Sequence, residues 1–382
     1  MKVVISKNEL TQLIGKIQNI VANKPAIPVL SNVLIEARDG QLYLKATDLT
    51  TSMLCFSEAK VIEEGAIALP AKRFFHLIKE LTSPQIKITC PSADVAEITS
   101  VSSHFKINGM VKSEFPSLPD ITKATQISIS STTLKEMLYR TYFSAAREDS
   151  RFVLNGIYMK VDKKIASFIS TDGKRLSKMF TNIDIDPSFQ GSYILPLKAV
   201  EEMVKLLSDD EQLVNLSLMH DKVFLESSNL TLITKLLSGE YPDVEKVIPT
   251  NTTTTMTLHR EELITLLRQV SLFTPDSSGS VRFIFDQGQL QLTALSSDIG
   301  EGTVSMPVDY SKEKLEVAFN PFYFMDILRH SKDETINFSI QDAYNPGMIT
   351  DSTSATFVIM PMRLNDLKTD SEADVSQNPQ FA

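Results

Sequence analysis

The sequence predicts an α+β chain made of three copies of one domain, each with two helices packed on antiparallel sheet. Three observations predict it. The chain has 382 residues, more than one hydrophobic core organises. It resembles itself with a period of about 125 residues. Hairpins of alternating strands fall at matching places in each copy.

The clearest repeated element is a helix that follows a strand. Leu69-Pro70, Leu195-Pro196 and Phe319-Asn320-Pro321 open its three copies, and proline is tolerated near a helix start because the N–H it lacks is unpaired there. The apolar positions Phe74, Leu77, Ile78 and Leu81 recur as Val200, Met203, Val204 and Leu207, then as Phe324, Ile327, Leu328 and Ser331. This i, i+3, i+4, i+7 stripe belongs to a core-facing helix. An earlier helix repeats as Leu10, Leu13, Ile14 and Ile17, as Leu134, Met137, Leu138 and Thr141, and as Leu263, Leu266, Leu267 and Val270. Ser6 with Glu9 predicts a capping box at its start, with Ser130 and the pair His259 and Glu262 at the equivalent places.

Between the helices, alternating strands flank Asp39-Gly40 and Asp286-Gln287-Gly288, while Ile157–Val161 and Ile165–Ile169 form the middle hairpin. The connectors Glu114-Phe115-Pro116 and Glu240-Tyr241-Pro242 also recur, each with a strand-stopping proline. Boundaries near Thr122 and Asn251 give domains 1–122, 123–251 and 252–364. Residues 365–382 are polar and acidic and are expected to be a disordered tail.

The net charge of −9 argues against a generic basic coat for nucleic acid, so any DNA contact must come from local charge. Such charge recurs at one helical address, five residues past the centre of the apolar stripe, as Lys79, Lys205 and Arg329. Two residues before that centre stand Lys72, Lys198 and Phe322. Lys16, Arg140 and Arg268 are read on the flank or outer face of the other helix. Phosphate contacts from such faces carry no base sequence information.

Motifs for chemistry are missing from the sequence: there is no phosphate loop, no dinucleotide fingerprint and no zinc-protease pair, and the five histidines are dispersed. Asp184 with Asp186 and Asp209 with Asp210 read as solvated loop acids. Thr171-Asp172-Gly173 shares its register with Thr47-Asp48-Leu49, so turn chemistry accounts for it. Cys55 and Cys90 sit in alternating apolar patterns and read as reduced thiols. No apolar stretch is long enough for a membrane span, and a cytoplasmic location is expected.

Several separated motifs carry a family resemblance. Lys24-Pro25-Ala26-Ile27-Pro28-Val29-Leu30, Phe152-Val153-Leu154-Asn155-Gly156, Thr171–Leu176, Glu240-Tyr241-Pro242-Asp243 and the closing segment Val358–Leu364 together resemble the β sliding clamp of bacterial DNA polymerase III. The resemblance spans residues 1 to about 364. It implies a head-to-tail homodimer of three-domain subunits, a ring with helices lining the hole and antiparallel sheets outside. Double-stranded DNA would thread it without sequence preference. A clamp loader would place it there, and it would hold the polymerase on its template without a catalytic site, cofactor or metal. A non-enzymatic peptide-binding scaffold of the same fold that never encircles DNA is the competing reading.

The same resemblance assigns site residues. A pocket for short partner peptides would include Leu154, Thr171, Gly173, Lys174, Arg175, Leu176, Pro242, Val247, Val358, Met360, Pro361, Met362 and Arg363, with Asn320 and Tyr323 nearby. DNA contacts fall at Lys24, Arg73, Glu148, Phe152 and Val153, alongside the helix-face residues Lys79, Lys198, Lys205 and Arg329. Glu148, Phe152 and Val153 depart from the family pattern, since an acid repels phosphate and neither apolar residue has a hydroxyl. Phe105 and Ile107 would meet Leu272 and Phe273 of the neighbouring subunit, with Lys72 and Arg73 near Asp298 and Glu301.

Overall fold

The computed structural model describes residues 1–22, 25–119, 124–250, 254–274 and 279–363. The proposed boundaries at Thr122 and Asn251, Lys24, and the tail from 365 lie outside the described residues.

The first repeat runs β1 (Lys2–Ser6), α1 (Lys7–Ile17), β2 (Asn32–Arg38), β3 (Gln41–Thr47), β4 (Thr51–Glu58), β5 (Lys60–Glu63), β6 (Gly65–Pro70), α2 (Ala71–Glu80), β7 (Gln85–Ser92), β8 (Val95–Ser100) and β9 (Ser103–Asn108). The second runs β10 (Thr125–Ser130), α3 (Ser131–Tyr142), β11 (Gly156–Asp162), β12 (Ile165–Thr171), β13 (Arg175–Asn182), β14 (Gln190–Pro196), α4 (Leu197–Leu206), β15 (Leu213–Leu218), β16 (Lys222–Ser227) and β17 (Leu230–Lys235). The third repeats that order as β18 (Thr254–His259), α5 (Arg260–Ser271), β19 (Val281–Asp286), β20 (Gln289–Ser296), β21 (Gly300–Pro307), β22 (Leu315–Phe319), α6 (Pro321–His330), β23 (Thr335–Ile340), β24 (Gly347–Thr350) and β25 (Thr356–Ile359). Apart from β5, the three copies share one element order.

All three hairpins turn on two residues with positive φ: Asp39-Gly40, Lys163-Lys164 and Gln287-Gly288. That is the twist-matched geometry of a two-residue loop. The sequence marked the first and third with glycine; the middle one turns on two lysines.

The helix stripes are buried largely as the spacing requires. Leu10, Leu13, Ile14 and Ile17 of α1, Phe74 and Ile78 of α2, Val200 and Met203 of α4, and Phe324, Ile327 and Leu328 of α6 all lie in the core. Thr141 is buried too, its hydroxyl donating to the Met137 carbonyl at 2.7 Å. In α5 the fourth buried residue is Ile264 rather than Leu266.

The expected capping box is corrected: the Ser6 side chain makes no cap bond. Instead the first N–H of each leading helix donates to a backbone carbonyl just before the next strand: Lys7 to Pro84 at 2.9 Å, Ser131 to Gln212 at 2.8 Å and Arg260 to Glu334 at 2.8 Å. Tertiary structure satisfies an orphan donor that side chains otherwise serve. At the other two starts side chains do help, for Ser130 accepts from the Thr133 N–H and His259 from that of Glu262.

The sheets do not stop at repeat boundaries. One eight-stranded sheet runs β10-β15-β16-β17-β4-β3-β2-β6 and another β14-β11-β12-β13-β25-β24-β23-β18. The outer strands form a five-stranded sheet, β5-β1-β7-β8-β9, and a four-stranded one, β21-β20-β19-β22. By compactness the chain forms two units, one of residues 1–136, 183–189 and 193–238, the other of 137–182, 190–192 and 239 onward.

Candidate functional site

The second unit's joint is the pairing of β13 with β25, in register Arg175↔Ile359, Leu176↔Val358, Ser177↔Phe357 and Lys178↔Thr356. The turn leading into β13 shapes its rim. Thr171 Oγ1 accepts from the Gly173 N–H, and Asp172 Oδ1 accepts from the N–H groups of Lys174 and Arg175. Gly173 has a φ of 84°, where glycine is unstrained. The turn at Thr47–Thr51 is built alike: Thr47 Oγ1 accepts from Leu49, and Asp48 Oδ1 from Thr50 and Thr51. Turn chemistry therefore explains the shared Thr-Asp.

Arg175 is bound on every side. It pairs with Asp172 at 3.2 Å and Asp326 at 2.7 Å, donates to the Phe143 carbonyl, and lies 4.5 Å over the Tyr323 ring. Asn320 holds Tyr323 in place by capping α6, accepting from the N–H groups of Phe322 and Tyr323. A polar cleft of about 480 Å³ opens beside this network, lined by Phe143, Arg147, Arg151, Lys174, Arg175 and Tyr323 among others.

Beyond β25 the chain is strapped down twice. The Met360 N–H donates to the Lys174 carbonyl at 2.9 Å, and the Met362 N–H to the Ala318 carbonyl at 2.8 Å. On the other side, the short helical turn Val244–Val247 is tied to β13 by Lys178–Glu245 at 2.6 Å. Its connector is anchored by Tyr241, stacked on Tyr158 with centroids 5.0 Å apart. Val247 (41% exposed) and Met360 (37% exposed) therefore stand beside the same strand with apolar surface open. Pro242, Gly173, Lys174 and Arg363 are exposed, while Pro361 and Met362 are half-buried. Leu154, Leu176 and Val358 are fully buried, so they support this surface without facing solvent, and Thr171 is occupied in its turn.

The basic helix positions carry less free charge than their repetition implies. Lys205 pairs with Glu202 at 2.7 Å, Arg329 with Asp326 at 3.2 Å and Lys198 with Asp48. Lys79 is exposed with its ammonium 5.3 Å over the Phe75 ring, and Arg73 is exposed. Arg140 is corrected outright: it is buried, not outward, pairing with buried Asp351 at 3.0 Å. Burial opposes ionisation of Asp351, but bonds from Thr353, the Lys332 N–H and Arg140 outweigh it and hold the carboxyl below the usual range. In the 147–153 loop, Glu148 is exposed at a φ of 58° and Phe152 is 75% exposed, while Val153 lies against Gly239.

At the outer sheets, Phe105 is exposed and Ile107 buried on edge strand β9. Leu272 is 72% exposed, and the Phe273 ring packs so closely on Gly302 of edge strand β21 that a Cβ there would lie 2.6 Å from it.

Family models described as the N-terminal, central and C-terminal domains of the DNA polymerase III beta subunit match residues 1–119, 128–243 and 245–363. A beta sliding clamp from Chlamydia pneumoniae is 52% identical over 366 residues, covering 96% of this chain and all of that protein. The chain belongs to the bacterial β sliding clamp family. Another member, from Haemophilus influenzae, is 29% identical over 95% of this chain and the whole of that protein. Among solved structures, a DNA polymerase sliding clamp from Pseudomonas aeruginosa superposes with a TM-score of 0.90 at 25% identity, and one from Bartonella birtlesii with 0.91 at 28%. Each covers 95% of this chain and all of the matched chain. The function is accordingly that of a DNA sliding clamp in replication.

Proposed function

We propose that two copies of this clamp join head to tail into a ring around double-stranded DNA, tethering DNA polymerase III and receiving its partners on the Val247–Met360 surface. A clamp loader places the ring, no cofactor or catalytic site takes part, and the setting is cytoplasmic. Among the described residues no helix is long and apolar enough to cross a membrane. DNA contact uses phosphate alone, from Arg73, Lys79, Lys198, Lys205 and Arg329, with Lys24, Glu148, Phe152 and Val153 at the family's positions.

The observation that carries the dimer is the pair of open sheet edges. Each repeat ends in a three-strand meander, β7–β9, β15–β17 and β23–β25, and begins its hairpins with β2–β4, β11–β13 and β19–β21. The internal joints pair the last strand of one meander with the third hairpin strand of the repeat before it, β17 with β4 and β25 with β13. The same rule leaves β9 and β21 without an outer partner, at the edges of their sheets. An unpaired edge is a template for another strand. Joining β21 of one copy to β9 of a second completes the rule.

The rule also gives a register. β4 pairs with β17 as Ser52↔Ile233 and Met53↔Leu232. Counting along the hairpins, whose registers run Thr47↔Ser52, Leu295↔Glu301, Ser227↔Leu230 and Ser100↔Ser103, places Glu301 opposite Lys106 and Gly302 opposite Phe105. Glu301 and Lys106 are both exposed, a complementary pair, and Phe105 arrives at the glycine covered by Phe273.

The test is solution mass together with retention on circular against linear DNA, since only a closed ring is trapped on a circle. The parent is expected to be a dimer retained on circles alone. Lys106→Glu and Glu301→Lys should each weaken association, the double swap should restore it, and Leu272→Asp should weaken it through a desolvated charge. A monomeric parent, or a dimer indifferent to all of these, overturns the reading. A dimer that never holds circular DNA would instead be a scaffold of the same fold.

A further inference from the structure

One carboxylate links the Val247–Met360 surface to a proposed DNA contact. Asp326 on α6 accepts from Arg175 Nη1 through Oδ2 at 2.7 Å and from Arg329 Nη1 through Oδ1 at 3.2 Å. With Asp172 on the far side of Arg175, four charges of alternating sign stand in a row: Asp172, Arg175, Asp326 and Arg329. The two cations differ in depth. The Arg175 side chain is 10% exposed and is also held by the Phe143 carbonyl, whereas the Arg329 side chain is 46% exposed. Solvent screens the outer pair more than the inner one, so the Arg329 pair is the one that yields.

The inner end bears on the surface. The Arg175 N–H donates to Asp172, its carbonyl accepts from Thr171 Oγ1 at 2.6 Å, and the carbonyl of the preceding Lys174 takes the Met360 N–H. Holding the Arg175 guanidinium therefore holds the turn to which the Met360 strap is tied. The first unit is built otherwise. At the matching addresses of α4, Glu202 pairs with Lys205 at 2.7 Å, but its other oxygen accepts from the Asn19 amide, and Thr51 stands where Arg175 stands in the second unit. The i, i+3 pair is thus repeated, and in the second unit its acid also reaches the joint.

We infer that Asp326 is the positioning residue of the partner surface and that it passes the state of Arg329 to that surface: when Arg329 turns to a DNA phosphate, Asp326 is left to Arg175 alone and the surface binds peptide more tightly. The inference rests on the peptide-docking and phosphate-contact readings above. Its size is bounded, because an effector shifts an affinity only by the free energy of the contact it alters. An exposed i, i+3 ion pair is worth about a factor of two in an equilibrium constant, so DNA tightens peptide binding about twofold. Linkage makes the effect reciprocal, and bound peptide strengthens DNA binding by the same factor. Losing the Asp326 charge altogether costs more, about tenfold in peptide affinity, since it removes a charged hydrogen bond from a mostly buried guanidinium.

The experiment uses the full chain and a labelled synthetic peptide bearing a glutamine followed, three residues on, by Leu-Phe. Its dissociation constant is measured on the parent, on Arg329→Gln, Asp326→Asn, their double variant, Asp326→Glu and Met360→Ala, with solution mass and thermal unfolding as checks of folding. Arg329→Gln frees Asp326 as DNA would and should bind the peptide about twofold tighter than the parent. Asp326→Asn should bind about tenfold weaker, Asp326→Glu should recover most of the loss, and the gain from Arg329→Gln should vanish in the double variant. A saturating short DNA duplex at low salt should tighten the parent about twofold and leave Arg329→Gln unchanged. A merely structural Asp326 would weaken the Asn variant without any gain in Arg329→Gln. Affinity of Arg329→Gln at or below the parent's, a gain that persists in the double variant, or a DNA effect alike in parent and Arg329→Gln overturns the coupling. Equal affinity of parent and Asp326→Asn, with Met360→Ala still weaker, overturns the positioning role and leaves the docking surface standing. Affinity indifferent to Met360→Ala overturns both. Should Asp326→Asn fail to fold, the exposed Arg329→Gln, with and without DNA, decides alone.

Discussion

The two internal joints, β4 with β17 and β13 with β25, are one design carried out with different side chains. The backbone is shared in detail: the Lys235 N–H donates to the Thr50 carbonyl at 2.9 Å, as the Met360 N–H does to Lys174. At that shared point the first unit has an exposed lysine and the second an exposed methionine. Where β4 begins with buried Thr51, β13 begins with Arg175 and its two carboxylates. Lys16 in α1 is exposed, while Arg140 at the same address in α3 is buried against Asp351. A repeat thus supplies the frame, and a handful of substitutions turn one joint into a surface with exposed apolar side chains and a network of ion pairs while the other stays a plain seam.

The largest expected effect separates the buried pair from its surface counterpart. Asp351→Asn leaves the Arg140 guanidinium buried without its charge partner, a loss of about 3–5 kcal/mol, whereas Lys16→Met should change stability by less than about 0.5 kcal/mol. Denaturant unfolding measures both. The pH dependence has a definite sign. The folded-state pKa of Asp351 is depressed, so its contribution is present above the unfolded carboxylate value and is lost as pH falls through the folded one. The parent should therefore lose stability on acidification more steeply than Asp351→Asn, and parallel curves would show that this pair does not govern the joint.

Next in size is the exchange at the shared strap. Met360→Ala removes apolar surface from the proposed partner site and should weaken a bound peptide by about 1–2 kcal/mol, roughly tenfold, with the dimer intact. Lys235→Met places the same side chain at the first joint but brings none of the Arg175 and Tyr323 network with it. Calorimetry should then show no second peptide site; a second site of similar affinity would mean that the methionine alone makes the surface.

What could be read from the sequence follows from what is local. Helix faces such as Phe74–Ile78 repeat every 3.6 residues, and Asp39-Gly40 marks its hairpin by backbone preference, so both were legible. The middle hairpin gave no such sign, because Lys163 and Lys164 adopt positive φ without glycine. The joints were hidden for another reason: Leu176 meets Val358 across most of two repeats, and edge pairing leaves no periodic trace. The site residues arrived through family motifs, which name positions without their depth. They therefore grouped exposed Val247 and Met360 with buried Leu154, Leu176 and Val358. The helical address of Arg140 gave a direction relative to the stripe, yet could not tell that the connection between β24 and β25, carrying Asp351 and Thr353, would cover it.

The smallest effect concerns the twin turns. Leu49 and Gly173 occupy the same place, with φ of 73° and 84°, a conformation that costs a side-chain-bearing residue about 1 kcal/mol. Leu49→Gly relieves that cost but gives the unfolded chain more freedom, so the first joint should gain only a few tenths of a kcal/mol, up to about 0.5. Gly173→Ala is not the mirror image. Its Cβ would sit 3.3 Å from the Arg151 Nη2, which is held by Asp149, so steric crowding adds to the conformational cost and the second joint should lose about 1–2 kcal/mol. The two substitutions, made separately and compared by thermal unfolding, should therefore shift the midpoint in opposite directions and by unequal amounts. If Gly173→Ala proved neutral, the turn would not be held by its backbone, and the Val247–Met360 surface would owe its shape to the Arg175 network alone.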